Sequence, residues 1–144
     1  MKNKPNILKS TVSKKCFSAT RSIGSSLLLD FGKQIPYLNY KGQEEIKGEY
    51  GLLIEMGEWT LNKNNKQILF CERDAQKIEA KIHTLKGKTI TSISLDQKND
   101  LEIIFDKIYS LRIPFNPQES NLWTLYTPSG SYWLDQHGHW QHEK

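Results

Sequence analysis

Leu27, Leu29 and Phe31 return 74 positions later as Leu101, Ile103 and Phe105, and Lys33 returns as Lys107. In both copies, Cys16–Leu38 and Ile90–Arg112, a strand-like segment enters a turn and then the pattern apolar-x-apolar-x-Phe. That alternation is the period of a half-buried strand. Further along the spacing becomes 64: Trp59-Thr60-Leu61 matches Trp123-Thr124-Leu125, and Ile68-Leu69-Phe70 matches Tyr132-Trp133-Leu134. The segments between, Asn62–Gln67 and Tyr126–Ser131, hold Asn64-Asn65 and Pro128-Ser129-Gly130, which predicts hairpins. One supersecondary unit is therefore used twice. The drop from 74 to 64 assigns ten extra residues to the first copy, within Asn39–Met56.

Asp74 is the predicted N-cap of a helix reaching about Leu85 and closed by Gly87, with Ile78, Ile82 and Leu85 as its apolar stripe. The matching stretch of the first copy, Asn6 to about Ser13, has a weaker stripe of Ile7, Leu8 and Val12. Each half thus reads as a short helix followed by four strands. The expected fold class is α+β: two pseudo-twofold-related antiparallel β half-repeats, one short helix preceding each. The expected organisation is a single domain over 1–144, with half-repeats at about 6–73 and 74–140 and a basic tail at 1–5.

At 144 residues the chain is long enough for one hydrophobic core. No apolar run approaches the roughly 20 residues that a membrane-crossing helix needs. No apolar stretch of signal-peptide type follows the basic Met1–Lys9, so a cytoplasmic protein is expected. Cys16 and Cys71 stand 55 positions apart without metal-site spacing, which favours reduced thiols over a disulfide. The net charge of +4 is concentrated: residues 1–33 hold Lys2, Lys4, Lys9, Lys14, Lys15, Arg21 and Lys33 against Asp30 alone. Such a segment attracts nucleic acid or solubilises the chain, so nucleic-acid binding is the second functional reading. The lack of interleaved aromatics counts against it.

No pattern of catalytic residues emerges. His137, His139 and His142, with Asp135, have the residue types of a transition-metal site, but a surface tail without orienting partners is the favoured reading, and His83 stands alone on the helix. No Gly-x-Ser-x-Gly elbow or phosphate-cradling glycine loop is present, and Asp30, Glu102 and Asp106 alternate with strand apolars as outward-facing residues do. No enzyme activity, metal or cofactor is expected. Trp59 and Trp123 open matched strands and read as core. Trp133 and Trp140 lie near the end of the chain, where a final strand returning to the sheet and an exposed binding aromatic are both open.

The insertion is where the halves cease to be equivalent. It holds Tyr40, Glu44, Glu45, Glu49 and Tyr50, an acidic stretch in an otherwise basic chain. Aromatics beside clustered carboxylates suit a basic protein surface, and a solvated connecting loop is the other reading. These five are the candidate partner-binding residues.

The run GEYGLLIEMGEWTLNKNNKQILFCERD (48–74), followed by LKGKTITSISLDQKNDLEIIFDKIYSLRIPF (85–115) and LWTLYTPSG (122–130), resembles a family of small uncharacterised bacterial proteins with a duplicated β-rich domain. Where that family often has Arg after the first Trp, this chain has Thr60. The resemblance implies a stoichiometric binding protein similar to the immunity proteins of secreted toxin systems. Its implied partner is a cognate protein toxin domain, neutralised by occlusion, with no membrane partner.

Overall fold

The computed structural model describes residues 7–55, 58–71, 74–119 and 122–144. The basic tail 1–5, Asn6, Met56 and Arg73, on which some of the expectations above fall, lie outside them. In chain order the strands are β1 (Cys16–Arg21), β2 (Leu27–Leu38), β3 (Glu44–Ile54), β4 (Thr60–Lys63) and β5 (Lys66–Phe70). Helix α1 (Ala75–Ile82) comes next, then β6 (Ile90–Leu95), β7 (Leu101–Phe105), β8 (Tyr109–Ile113), β9 (Trp123–Thr127), β10 (Gly130–Leu134) and β11 (Trp140–Glu143). Two antiparallel sheets result, ordered β1-β2-β3-β9-β10-β11 and β5-β4-β8-β7-β6.

This overturns the α+β expectation. Among the described residues the only α-helix is α1, and the protein is a β structure. Asp74 caps α1 as predicted, its carboxylate accepting from the Lys77 N–H. The stretch before the first half makes only the 3-10 turn Leu8–Thr11, without a side-chain cap, and Ser13 then takes a φ of 76°. Its stripe is too short for the nucleation cost of a helix to be recovered, and Thr11 and Val12 are β-branched. Leu8 and Thr11 are nevertheless buried, as are Ile82 and Leu85, 74 positions on.

Spacing by 74 recurs in the pairing itself. β1 pairs β2 as Cys16–Phe31 and Arg21–Leu27, with a bulge between Cys16 and Ser18. β6 pairs β7 as Ile90–Phe105 and Leu95–Leu101, with a bulge between Ile90 and Ser92. Where the copies meet, hydrogen bonds come in reciprocal pairs. Cys16 N–H donates to Lys88 O at 2.8 Å and Ile90 N–H to Lys14 O at 2.9 Å; Gly32 N–H donates to Lys15 O at 3.0 Å and Asp106 N–H to Thr89 O at 2.8 Å.

The two halves are not separate sheets. The β4–β5 hairpin of the first half joins β8 of the second, Leu61 opposite Leu111. The β9–β10 hairpin of the second half joins β3 of the first, Leu125 opposite Leu52. Each hairpin completes the other half's sheet, and one apolar cluster spans both sheets, including Trp59 and Trp123. Trp59 Nε1–H donates to Ser25 O at 2.8 Å, so its polar atom is satisfied in the core.

The registers also correct the account of the insertion. Phe31 pairs Tyr50 across β2–β3, whereas Phe105 pairs Tyr109 across β7–β8, making the first hairpin fifteen residues longer. From Ile54 to Trp59 the chain is five residues shorter than from Ile113 to Trp123. Ten is the net figure, and all the extra chain lies between Phe31 and Tyr50.

Candidate partner-binding arm

The extra chain of the first half is not a loop. Beyond the Phe31–Tyr50 pair, β2 and β3 pass a bulge and pair again from Gln34–Gly48 to Leu38–Glu44 as a two-stranded arm. Its turn is closed locally: Asn39 N–H donates to Gln43 O at 2.9 Å and Gly42 N–H to Asn39 O at 2.9 Å. The Asn39 side-chain oxygen accepts from Lys41 N–H at 2.9 Å and Gln43 N–H at 3.0 Å, while Gly42 supplies a φ of 77°. At the base a side chain on Gly48 would meet Phe31 N at 2.8 Å and Phe31 O at 2.9 Å, so only glycine allows the strands to close there.

The five candidate residues divide. Tyr40 stands at the tip, 92% exposed, and Glu44 is exposed beside it. Glu45 accepts from Tyr37 Oη–H at 2.7 Å and from Asn39 Nδ2–H at 2.9 Å. These bonds hold the Glu45 carboxyl below the usual carboxylate range, and the same contact raises the Tyr37 phenol. Glu49 and Tyr50 belong to the base instead. Glu49 accepts from Lys33 N–H at 3.1 Å and pairs with Lys14 at 3.6 Å. Tyr50 packs on the core with the Lys14 ammonium 5.6 Å from its ring. The arm thus brings Tyr40, Glu44 and Glu45 together and commits Glu49 and Tyr50 to structure.

Sequence reading missed the apolar members of the arm. Ile35, Tyr37, Leu38 and Ile46 are exposed, Leu38 at 67% and Ile46 at 57%. The available signal was Asn39-x-x-Gly42 flanked by Ile35-x-Tyr37 and Glu45-Ile46-Lys47, a hairpin pattern. Where the arm leaves the sheet, a groove of about 400 Å³ opens on the outer face, lined by Asp30, Ile35, Lys47, Glu49, Tyr126 and Pro128. Gly51, between Asp30 and Tyr126 in the cross-strand row, leaves this space open. Burial raises the Asp30 carboxyl, opposed by the Gly48 N–H that it accepts at 3.1 Å.

The other candidates are placed as follows. His137 and His139 lie in the tight turn between β10 and β11, where Asp135 accepts both their N–H groups at 2.9 Å. His142 stacks on Tyr132 with ring centroids 4.1 Å apart. Among the described residues no three His, Cys, Asp or Glu side chains gather as a metal site would require. β11 carries Trp140 back onto the sheet, edge-on to Trp123 at 5.9 Å, and Trp133 is half-buried opposite Gln141. Cys16 is a buried free thiol pushed up to about 12 by desolvation, and Cys71 is a half-buried free thiol. Of the N-terminal basic residues, Lys14 pairs with Glu49 and Arg21 with Glu79 at 3.0 Å. Among the described residues no helix is long and apolar enough to cross a membrane. Comparisons with protein families, curated proteins and solved structures return no significant match.

Proposed function

We propose that this chain is a stoichiometric protein-binding module of immunity type, which occludes a cognate toxin domain in the cytoplasm without turnover. The observation that carries the reading is where its apolar surface lies. Of nine exposed large hydrophobics among the described residues, five (Ile35, Tyr37, Leu38, Tyr40 and Ile46) sit on one projecting arm. An arm held by its own hydrogen bonds keeps apolar side chains in water at little cost in order on binding, which suits recognition of a second protein. Tyr40 and Leu38 supply anchors that lose water on contact, and Glu44 supplies charge at the rim for a basic surface.

The test begins with the neighbouring reading frame: a secreted protein with a toxin-like C-terminal domain is expected there, and that domain is then co-expressed with this chain. The wild-type chain is expected to restore growth and to co-purify at one to one. Replacing Leu38, Tyr40 and Glu44 together by Ala or Ser should weaken the complex by about 2–4 kcal/mol or more. Its thermal midpoint should hardly move, because these side chains add little to the core. Wild-type affinity in that variant would place the interface elsewhere.

A further inference from the structure

The arm carries an open strand edge as well as an apolar tip, and the two are chemically independent. Beyond its pairing with β9 over Gly51–Ile54, β3 has no strand partner other than β2 among the described residues. Because Asn39 N–H donates to Gln43 O, the alternation of an antiparallel ladder makes Tyr37–Glu45 and Ile35–Lys47 the hydrogen-bonded pairs. The N–H and C=O groups of Glu44 and Ile46 therefore point away from β2, toward solvent. On the opposite edge the outward position facing Ile46 is Pro36, which has no N–H to offer. One edge of the arm is blunted and the other is not.

We infer that the open edge of β3 pairs with the same edge of a second copy of this chain, in antiparallel register about a twofold axis at Ile46. The charge pattern specifies that register. With Ile46 opposite the second copy's Ile46, Glu45 faces Lys47 and Lys47 faces Glu45 on one face of the ribbon. On the other face the two Ile46 side chains, each flanked by Pro36 and Leu38, cover one another. The outward groups of Ile46 then form a reciprocal hydrogen-bonded pair, as the ladder requires. The Tyr37–Glu45 hydrogen bond and the Lys47 ammonium, 5.5 Å from the Tyr37 ring, put both charged side chains on one face of the ribbon, leaning toward β2, so pairing requires them to turn to the open edge. At the same register each turn, Asn39–Gln43, comes alongside Glu49–Gly51 of the other copy, where the groove opens. A self-complementary patch of this kind closes as a dimer and leaves no edge to propagate.

Sedimentation equilibrium of the full chain alone, with no other protein present, tests this independently of the toxin reading. A concentration-dependent dimer is expected for the wild type. Glu45→Lys and Lys47→Glu should each weaken it by about tenfold or more, since each sets like charges opposite one another twice across the axis. Mixing the two single variants should restore dimers, as should the double variant Glu45→Lys/Lys47→Glu, because both arrangements again oppose unlike charges. Circular dichroism of each variant confirms that the fold is kept. A wild-type chain that stays monomeric into the upper micromolar range overturns the inference, and so does a dimer indifferent to both single reversals or not recovered by mixing. No toxin domain is present in any of these samples, so a monomeric result would overturn the dimer while leaving the one-to-one toxin complex to its own test.

Discussion

Asn39, Asp96 and Asp135 do the same work at three hairpin ends. Each accepts from the N–H groups two and four residues on, and each turn places Gly42, Asn99 or Gly138 at positive φ. The shared pattern, Asx-x-x-Gly/Asn, was overlooked in the sequence although one side chain and one backbone preference define it locally. Asp135 also shows what charge adds. The His139 and His137 N–H groups and the Gln141 side chain hold its carboxyl below the usual range, and Asp96 is lowered in the same sense. A carboxyl lowered by folding contributes stability above its unfolded pKa of about 4 and loses it as the pH falls through the folded value. Asp30, raised by burial, acts oppositely: its contribution is present at low pH and lost as the pH rises. Asn already closes the turn at position 39, so Asp135→Asn should keep the fold at neutral pH. Its urea midpoint should then fall less than the wild type's between neutral and acid solution. Equal falls would show that protonation of Asp135 is not felt by the fold.

At the level of elements, alternation in the sequence and burial in the structure agree in β7 and β8, whereas β9 buries Trp123, Thr124 and Leu125 in succession. β7 buries Leu101, Ile103 and Phe105 and leaves Glu102 and Ile104 half-exposed. α1 buries Ile78 and Ile82 against a polar outer face. Phe105→Ala and Ile82→Ala should each cost about 2–5 kcal/mol, read as a lowered urea midpoint, since both side chains are fully enclosed. Unchanged midpoints would mean that the enclosed space collapses without loss. In the arm the same alternation has no core beneath it. The acids and glycines of 39–50 read as a connecting loop, because a ribbon held by its own ladder and turn needs none of the burial that marks a strand.

The molecule as a whole is tied together by exchange. β4 finds its second neighbour in β8 and β9 finds its own in β3, so neither half contains a complete sheet. Long-range pairing of this kind must close large loops before it returns any stability, which makes the fold cooperative and slow to form. Fragments 1–73 and 74–144 should each be unfolded alone and should recover β-structure when mixed, followed by circular dichroism and amide dispersion. A cooperative urea transition in either isolated fragment would show that exchange is not essential.

Residues 27–31 and 101–105, the two Trp-Thr-Leu openings and the Asp74 cap declared themselves in the sequence because each depends on neighbours a few positions away. Side-chain alternation, a capping oxygen and a positive φ are local properties, and the repeat made them visible twice. Which sheet each hairpin joins was decided only in three dimensions. An apolar strand face reads the same whether it covers its own half or the other, and packing across the shared core selects between them. The failed first helix has the same origin: Leu8 and Thr11 reach the core from a single 3-10 turn, so burial is achieved without the helix that spacing alone suggested. The arm's hairpin had a local signal in Asn39-x-x-Gly42, but that its apolar tip and one strand edge stay exposed was decided only by the tertiary structure, because exposure depends on what does not cover them.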